Sequence, residues 1–300
     1  MNFGIIGFGK IARKFVKSIT YTDGKVVAIA SHSLSEDDEY LNDNIKLYRS
    51  YDELLEDDNV DAVYIALPHL DHKKWIIEAI KHHKKVLCEK PITINSDDVN
   101  EIIECVDKYD GYCLEALKTK FNEGFKALKE DIKLIGKIES IEANFCFDAR
   151  GNRDSYLFDN RQGGALNDVG SYMIGFVLAL VNKPVKAVES KVSKENNIDL
   201  NFKAKLVFES DIVAYVEGAI DYNKDRYALI KGELGDIYIP MFNRIIDYKI
   251  NLKDRVIERN YPITGDDMTL EIQAVIDNDQ TTHTLVDSRN IQDIVEMIRG

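Results

Sequence analysis

The sequence predicts an α/β chain in two parts: a parallel sheet covered by helices on both faces, then a region dominated by antiparallel strands. Three observations predict it. Up to about Lys118, apolar runs of strand length alternate with runs at helical spacing. From Val185 to about Asn260, short alternating segments succeed one another between turn residues. The length of 300 residues also suits two cores better than one, because domains cluster near ~100–150 residues. The expected division is therefore 1–118 and 119–300.

Phe3–Gly7 is a short apolar run, followed by a helical pattern from Lys10 to Ile19. Val26–Ser31 and Asp61–Leu67 read as buried strands, the second closed by Pro68, and Lys85–Cys88 and Tyr112–Leu114 continue the series. Between them Lys73–His82 and Asp97–Tyr109 carry apolar residues at helical spacing, and Ser96-Asp97-Asp98 suits a helix start. Past Lys118 come a helix at Phe121–Asp131, an alternating run at Lys137–Phe147 and a loop at Asp148–Gln162 rich in Arg and Asp. Gly163-Gly164 then opens a strongly apolar helix. The strands Lys203–Phe208, Ile212–Ile220, Tyr227–Lys231 and Ile237–Ile239 form a meander with turns at Glu209–Asp211 and Gly232–Gly235. Helices at Met268–Asp277 and Ser288–Ile298 close the chain.

The net charge of −13 is spread evenly, −7 on residues 1–118 and −6 on the rest, so no basic patch invites a nucleic acid. The longest apolar stretch, Tyr172–Val181, is too short to span a bilayer. The opening residues run from Met1 straight into a strand, which predicts no signal peptide. Cys88, Cys105, Cys113 and Cys146 form no CxxC pair and no cluster with histidine. They read as small hydrophobes in a reducing compartment, so a cytoplasmic protein without a metal site is expected.

Gly7-Phe8-Gly9-Lys10-Ile11-Ala12 sits between the first strand and the first helix, where a dinucleotide fingerprint belongs. The first glycine makes the tight turn, the second lets backbone approach a pyrophosphate, and Ala12 is the small residue at the helix–strand contact. The end of the second strand selects the cofactor. Ser31-His32-Ser33 offers hydrogen-bond donors and no carboxylate, which favours NADP over NAD without excluding NAD.

Further along lie Leu67-Pro68-His69-Leu70-Asp71-His72, then Val86-Leu87-Cys88-Glu89-Lys90-Pro91, Leu114-Glu115-Ala116, Gly163-Gly164-Ala165-Leu166-Asn167-Asp168-Val169-Gly170-Ser171-Tyr172 and Ile230-Lys231-Gly232-Glu233-Leu234-Gly235. With the glycine motif they resemble the Gfo/Idh/MocA oxidoreductase family nearly end to end. The tyrosine at 172 resembles the branch holding dihydrodiol dehydrogenase and glucose–fructose oxidoreductase, although Lys120-Phe121-Asn122-Glu123 stands where that branch commonly has arginine and then proline. The resemblance implies a Rossmann domain followed by a domain on a large open, mostly antiparallel sheet. It implies hydride transfer between a nicotinamide and a hydroxyl-bearing carbon of a sugar, cyclitol or diol. It places Lys90 beside the nicotinamide ribose and the substrate hydroxyl, and brings Leu67, Pro68, His69, His72, Glu89 and Pro91 into the cofactor site.

A helix from Ala165 would put Asp168, Tyr172 and Gly175 on one face. A tyrosine of ordinary pKa near ~10 is a poor proton carrier at neutrality, and a nearby lysine cation makes it a usable acid/base. Asp168 then orients substrate or lysine. Singly, Asp168 would pass as a first-turn charge, Tyr172 as a packed aromatic and Lys90 as a solvated strand end. Jointly they favour catalysis. His72 is expected either in a pocket wall or in a solvated first turn, and Lys118 and Arg161, the latter on the loop with Arg150, Arg153 and Tyr156, are candidates to meet substrate. One face of the second sheet is expected to expose apolar and aromatic residues that a homodimer would cover. Two other readings share this fold: a non-catalytic dinucleotide sensor or repressor, and a hydrolase using tightly bound NAD.

Overall fold

Asn2–Ile6 forms the first strand, β1, with Phe3, Ile5 and Ile6 fully buried. A computed structural model describes residues 1–32, 40 and 44–300 of the chain. Five further strands lie parallel to β1: β2 (Lys25–Ala30), β3 (Lys46–Tyr48), β4 (Ala62–Ile65), β5 (Lys85–Glu89) and β6 (Cys113–Ala116). Their order is β3-β2-β1-β4-β5-β6, so it reverses between β1 and β4, and ligands bind at such a switch point in open α/β sheets. The connecting helices are α1 (Lys10–Ser18), α2 (Tyr51–Leu55), α3 (His69–Lys81) and α4 (Ser96–Tyr109). α1 buries Ala12 and Phe15, whose ring stacks on Tyr64 at 4.2 Å. At α4 the Asn95 side chain accepts the Asp98 N–H at 2.8 Å, which satisfies one of the free donors of the first turn. β3 and α2 are short elements that the sequence pattern did not announce.

In the second unit α5 (Glu123–Asp131) precedes the central strand β7 (Ile138–Asp148), and α6 (Ser171–Val181) precedes β8 (Val185–Glu195) and β9 (Ile198–Phe208). β10 (Val213–Ala219), β11 (Asp221–Gly232), β12 (Gly235–Ile239), β13 (Asp247–Leu252) and β14 (Val256–Asn260) complete an eight-stranded sheet, β14-β13-β12-β11-β7-β10-β9-β8. All its neighbours are antiparallel except β7 and β10, which run parallel because a long crossover separates them. One face is apolar: Phe202 and Met173 crowd Gly218, and Phe176 of α6 lies 6.1 Å from Phe125 and 5.3 Å from Phe242.

The open face corrects the expectation of an apolar surface. It carries a ladder of cross-strand ion pairs, Lys205–Glu189 at 2.9 Å, Lys203–Glu217 at 3.2 Å, Lys231–Glu142 at 3.2 Å and Lys249–Glu258 at 2.7 Å. Tyr215, Leu229 and the stacked Tyr227 and Tyr238 interrupt the charge. Alternation along a strand says which residues share a face. It does not say that long charged side chains will fill that face.

The compact units are Met1–Leu117 with Thr264–Arg289, and Lys118–Ile263 with Asn290–Gly300. The 119–300 division therefore needs amendment, because the segment holding α7 (Asp267–Ile276) belongs with the first unit, and the final helix α8 (Leu285–Arg299) gives residues to both. Specific bonds hold the segment there. Asp266 caps α7 through the Met268 and Thr269 N–H groups and accepts the Ser18 hydroxyl at 2.9 Å. Tyr112 donates its hydroxyl to the Asp279 carbonyl at 2.9 Å. Among the described residues no helix is long and apolar enough to cross a membrane.

Candidate active site

The first unit offers a nucleotide cradle at the β1/β4 switch point. Gly7 leaves β1 with φ +86°, in the region that L side chains avoid, and a Cβ there would lie 2.6 Å from the Ala66 carbonyl oxygen. Its N–H is held by the Ala30 carbonyl at 2.9 Å. At Gly9, the N-cap of α1, a Cβ would meet nothing within 4 Å. The free N–H groups of the first turn therefore face open space, no acidic residue stands in that turn, and Lys10 is exposed beside it. Those features fit a dinucleotide pyrophosphate. Phe8 is buried under the Arg13 guanidinium, 4.9 Å from its ring, while Ile11 is 39% exposed and Ala12 is fully buried against the sheet. At the end of β2, Ser31 is nearly buried and His32 is exposed with its ring 4.8 Å from Tyr51. Ser33 lies outside the described residues.

The turn after β5 is fixed from several sides. The Glu89 carboxylate takes the Tyr64 hydroxyl on one oxygen and the Lys90 N–H at 3.3 Å on the other. The Lys90–Pro91 peptide bond is cis. His72 departs from both sequence expectations: it is fully buried, with Nδ1 3.0 Å from the Pro91 carbonyl oxygen and Nε2 2.9 Å from that of Leu67. Burial pulls its pKa down while the two carbonyls oppose the shift. It ties the loop after β4 to the turn after β5 rather than reaching outward. α3 begins at His69, a full turn earlier than its apolar spacing indicates, with Pro68 as its N-cap, and the half-buried His69 ring lies 5.6 Å from His72.

The second unit gathers a separate set of groups. Gly163 and Gly164 are required by the chain itself, not by an approaching ligand: a Cβ on the first would lie 2.3 Å from the Leu157 carbonyl oxygen, and on the second 2.5 Å from the Asp199 carboxylate. The single helix expected from Ala165 is instead a π-helical turn, Leu166–Gly170, followed by α6. Asp199, itself buried, accepts the Leu166 N–H at 2.6 Å, and the Asn167 amide reaches back to the Gln162 and Gly163 carbonyls, which holds this wider turn. Such turns recur at functional sites. It carries Asp168, which is only 8% exposed and accepts the Tyr156 hydroxyl at 3.0 Å.

Tyr172 is half-buried, its ring 6.0 Å from Phe145, and the Lys118 amine stands 5.7 Å from the tyrosine ring centre. Sequence reasoning missed Arg226. Its guanidinium lies 3.2 Å over the Phe145 ring and donates from Nη1 to Asn243 at 3.2 Å, while its buried Nε has no partner. Burial lowers its pKa, and Tyr172 and Asp168 pull the other way, which places its charge within their field. The only sequence signal was a lone arginine in an otherwise aromatic stretch of β11. Arg161 pairs with Asp159 at 2.8 Å on the exposed loop. A phenol flanked by two cations, with a carboxylate beside it, is suited to proton exchange with a substrate hydroxyl.

Known proteins agree with this architecture. Residues 1–116 match the model of the oxidoreductase family with an NAD-binding Rossmann fold, and residues 126–238 match the GFO/IDH/MocA C-terminal domain. Trans-1,2-dihydrobenzene-1,2-diol dehydrogenase of Xenopus tropicalis is 29% identical over 247 residues, covering 79% of this chain and 74% of the relative. The NADP(+)-dependent scyllo-inositol 2-dehydrogenase of Bacillus subtilis is 29% identical over 277 residues, covering 86% and 81%. A 3-ketoreductase from Actinomadura kijaniata, solved in complex with NADP and TDP-benzene, superposes with a TM-score of 0.85 over 100% of this chain and 97% of that one at 21% identity, which shows the fold. Two matching domain models in their expected order, over the same chain that carries the glycine cradle and the Lys90 turn, settle the relationship: the chain belongs to the Gfo/Idh/MocA oxidoreductase family.

Proposed function

We propose that this NAD(P)-dependent oxidoreductase prefers NADP and transfers hydride to or from a hydroxyl-bearing carbon of a small sugar, cyclitol or diol. Lys90, Tyr172 and Asp168 act on that one substrate. The observation that carries the reading is the charge around Tyr172: Lys118 over its ring and the half-buried Arg226 beyond Phe145 favour its phenolate. When bound, the nicotinamide supplies the hydride acceptor or donor. In oxidation the Tyr172 oxygen takes the proton of the substrate hydroxyl, Lys90 donates a hydrogen bond to that same oxygen, and Asp168 orients a neighbouring hydroxyl. In reduction Tyr172 returns the proton to the new hydroxyl.

NADP preference rests on Ser31 and His32, donors at the end of β2 where a carboxylate would repel a 2′-phosphate. The four cysteines are free, in keeping with a reducing, cytoplasmic compartment. A homodimer through the open sheet face would pair its charge ladder and bury Tyr215, which is 48% exposed. The test of the central reading is turnover of sugars, inositols, trans-diols and dicarbonyls with NADP or NADPH, followed by absorbance at the nicotinamide band. A net change in cofactor separates this reading from a sensor and from a hydrolase. Tyr172→Phe should keep cofactor binding and lose roughly 10²–10⁴-fold in turnover, the usual share of acid–base catalysis. Near-normal turnover in that variant would reduce Tyr172 to a pocket wall.

A further inference from the structure

We infer that Glu115, braced by His283 and Ser288, is a positioning residue that sets the place of Lys90; the inference rests on the reading of Lys90 as catalytic. Glu115 lies on β6, is 1% exposed, and accepts the Ile92 N–H on Oε1 at 3.0 Å. On the other side His72 Nδ1 stands 3.0 Å from the Pro91 carbonyl oxygen. That oxygen and that N–H belong to one peptide unit, the one immediately after Lys90–Pro91. A single peptide plane is thus gripped at both ends by buried side chains. Its rotation is fixed, and with it the direction in which the Lys90 backbone leaves β5.

The carboxylate is prepared for this grip. Its second oxygen accepts the Ser288 hydroxyl at 2.5 Å and faces His283 Nε2 at 3.1 Å. His283 Nε2 meets a carboxylate and a hydroxyl already committed to that carboxylate, whereas its Nδ1 has no partner. The proton therefore sits on Nε2 and is donated to Glu115. Burial pushes the Glu115 pKa up, but the histidine, the serine and the Ile92 N–H outweigh it, and the group is held below its ordinary value. A buried carboxylate with three donors is a costly way to fill space, and an apolar residue of similar volume would pack with less penalty. This geometry is also no hydrolytic triad, since both partners of His283 sit on one ring nitrogen. What the carboxylate does that an apolar residue cannot is hold the N–H two positions beyond Lys90. His283 and Ser288 come from the Thr264–Arg289 segment, so that segment's return to the first unit braces the lysine turn.

The test uses the full chain and two readouts. Steady-state kinetics are run with NADP and the panel substrate that the wild type turns over. Glu115→Ala should lower kcat by ~10–100-fold, as expected for a reactive group displaced by about an ångström, with the cofactor KM within ~3-fold. Glu115→Gln keeps an acceptor for Ile92 and should recover kcat to within ~3-fold of wild type. Lys90→Met/Glu115→Ala should be no slower than Lys90→Met alone, because residues acting as a unit are not additive. The second readout needs no substrate: exchange of the Ile92 amide should quicken at least ~10-fold in Glu115→Ala relative to amides of β1. Wild-type kcat in Glu115→Ala beside a dead Lys90→Met, additive losses, or unchanged Ile92 exchange would each overturn the inference. If Lys90→Met retains turnover, the reading of Lys90 fails instead, and the exchange result alone judges the grip. Should Glu115→Ala not fold, Ser288→Ala takes its place: it removes one hydroxyl, and an unchanged kcat and Ile92 exchange there would count against the inference equally.

Discussion

The two glycines of the nucleotide loop look equivalent in sequence, yet the structure gives them opposite consequences. Gly7→Ala forces a side chain into φ +86° and sets its Cβ 2.6 Å from a backbone oxygen that closes the neighbouring strand. The left-handed backbone alone costs about 1–2 kcal/mol. Relieving a contact with backbone adds strain of ~1–3 kcal/mol, since neither Ala66 nor β1 can move without disturbing ladder bonds. A loss of about 2–5 kcal/mol is expected, seen as a fall in melting temperature of about 4–20 °C at ~2–4 °C per kcal/mol. Gly9→Ala meets neither problem: its φ of −85° and ψ of −168° suit any residue and no atom lies within 4 Å. Its melting temperature should stay within about 2 °C of wild type. The new methyl nevertheless occupies the space above the α1 N–H groups, where a pyrophosphate must approach, so NADP affinity should fall at least ~10-fold, about 1.4 kcal/mol. Scanning calorimetry and titration calorimetry on the two variants decide the matter. If Gly9→Ala binds NADP as wild type does, the cradle is a structural turn and the cofactor argument from it is wrong.

Three further outcomes are expected. Ser31→Asp should reverse the cofactor order, binding NAD more tightly than NADP by titration calorimetry, through repulsion of the 2′-phosphate; an unchanged order would show that the end of β2 does not read the ribose. Asp131 takes a two-pronged bond from Arg259 at 2.7 and 3.1 Å and the Tyr248 hydroxyl at 2.7 Å, and chiefly the arginine holds its carboxyl below the ordinary value. A depressed acid stabilises above its unfolded pKa of ~3.9 and loses that contribution as pH falls through the folded value, so Asp131→Asn should cost about 1.5–3 kcal/mol at pH 7 and progressively less below pH ~4. A variant equally destabilised at pH 7 and pH 2 would contradict this. Sedimentation at micromolar protein should show a dimer that dissociates in Tyr215→Arg, and a strictly monomeric wild type would remove the sheet-face interface.

The first sheet was legible because parallel strands buried on both faces must be continuous apolar runs, and each is punctuated by a helix with its own period. The glycine loop was legible because its chemistry is local: a strand, a turn with φ above zero and a helix N-terminus within a few residues. What escaped depends on partners distant in the chain. Nothing near Asp266, Asp279 or His283 announces that their bonds go to Ser18, Tyr112 and Glu115. The π turn escaped for the same reason, since it is stabilised by Asp199 from a later strand. His72 was misjudged because a helix's first turn is usually wet, and only the tertiary fold lays the Pro91 carbonyl over it.

The same locality limits the simplest account of the acid/base pair, in which Lys90 alone makes Tyr172 acidic. A phenol of ordinary pKa near ~10 needs about 4 kcal/mol of preferential anion stabilisation to work near pH 7. One cation at ~6 Å supplies roughly 3 kcal/mol at an effective dielectric of ~20, before any desolvation of the phenolate is subtracted. A single lysine therefore falls short. Lys118, 5.7 Å from the ring centre, and Arg226, whose own charge responds to Tyr172 and Asp168, make up the difference within the second unit, in a chain whose net charge is −13. That division of labour leaves Lys90 free of the task of tuning the tyrosine. It explains why its turn is built for position instead, with the peptide plane beyond it held by His72 at one end and Glu115 at the other. A residue that only supplied field could tolerate slack, because Coulomb energy changes slowly with distance. A residue that donates a hydrogen bond to the reacting oxygen cannot.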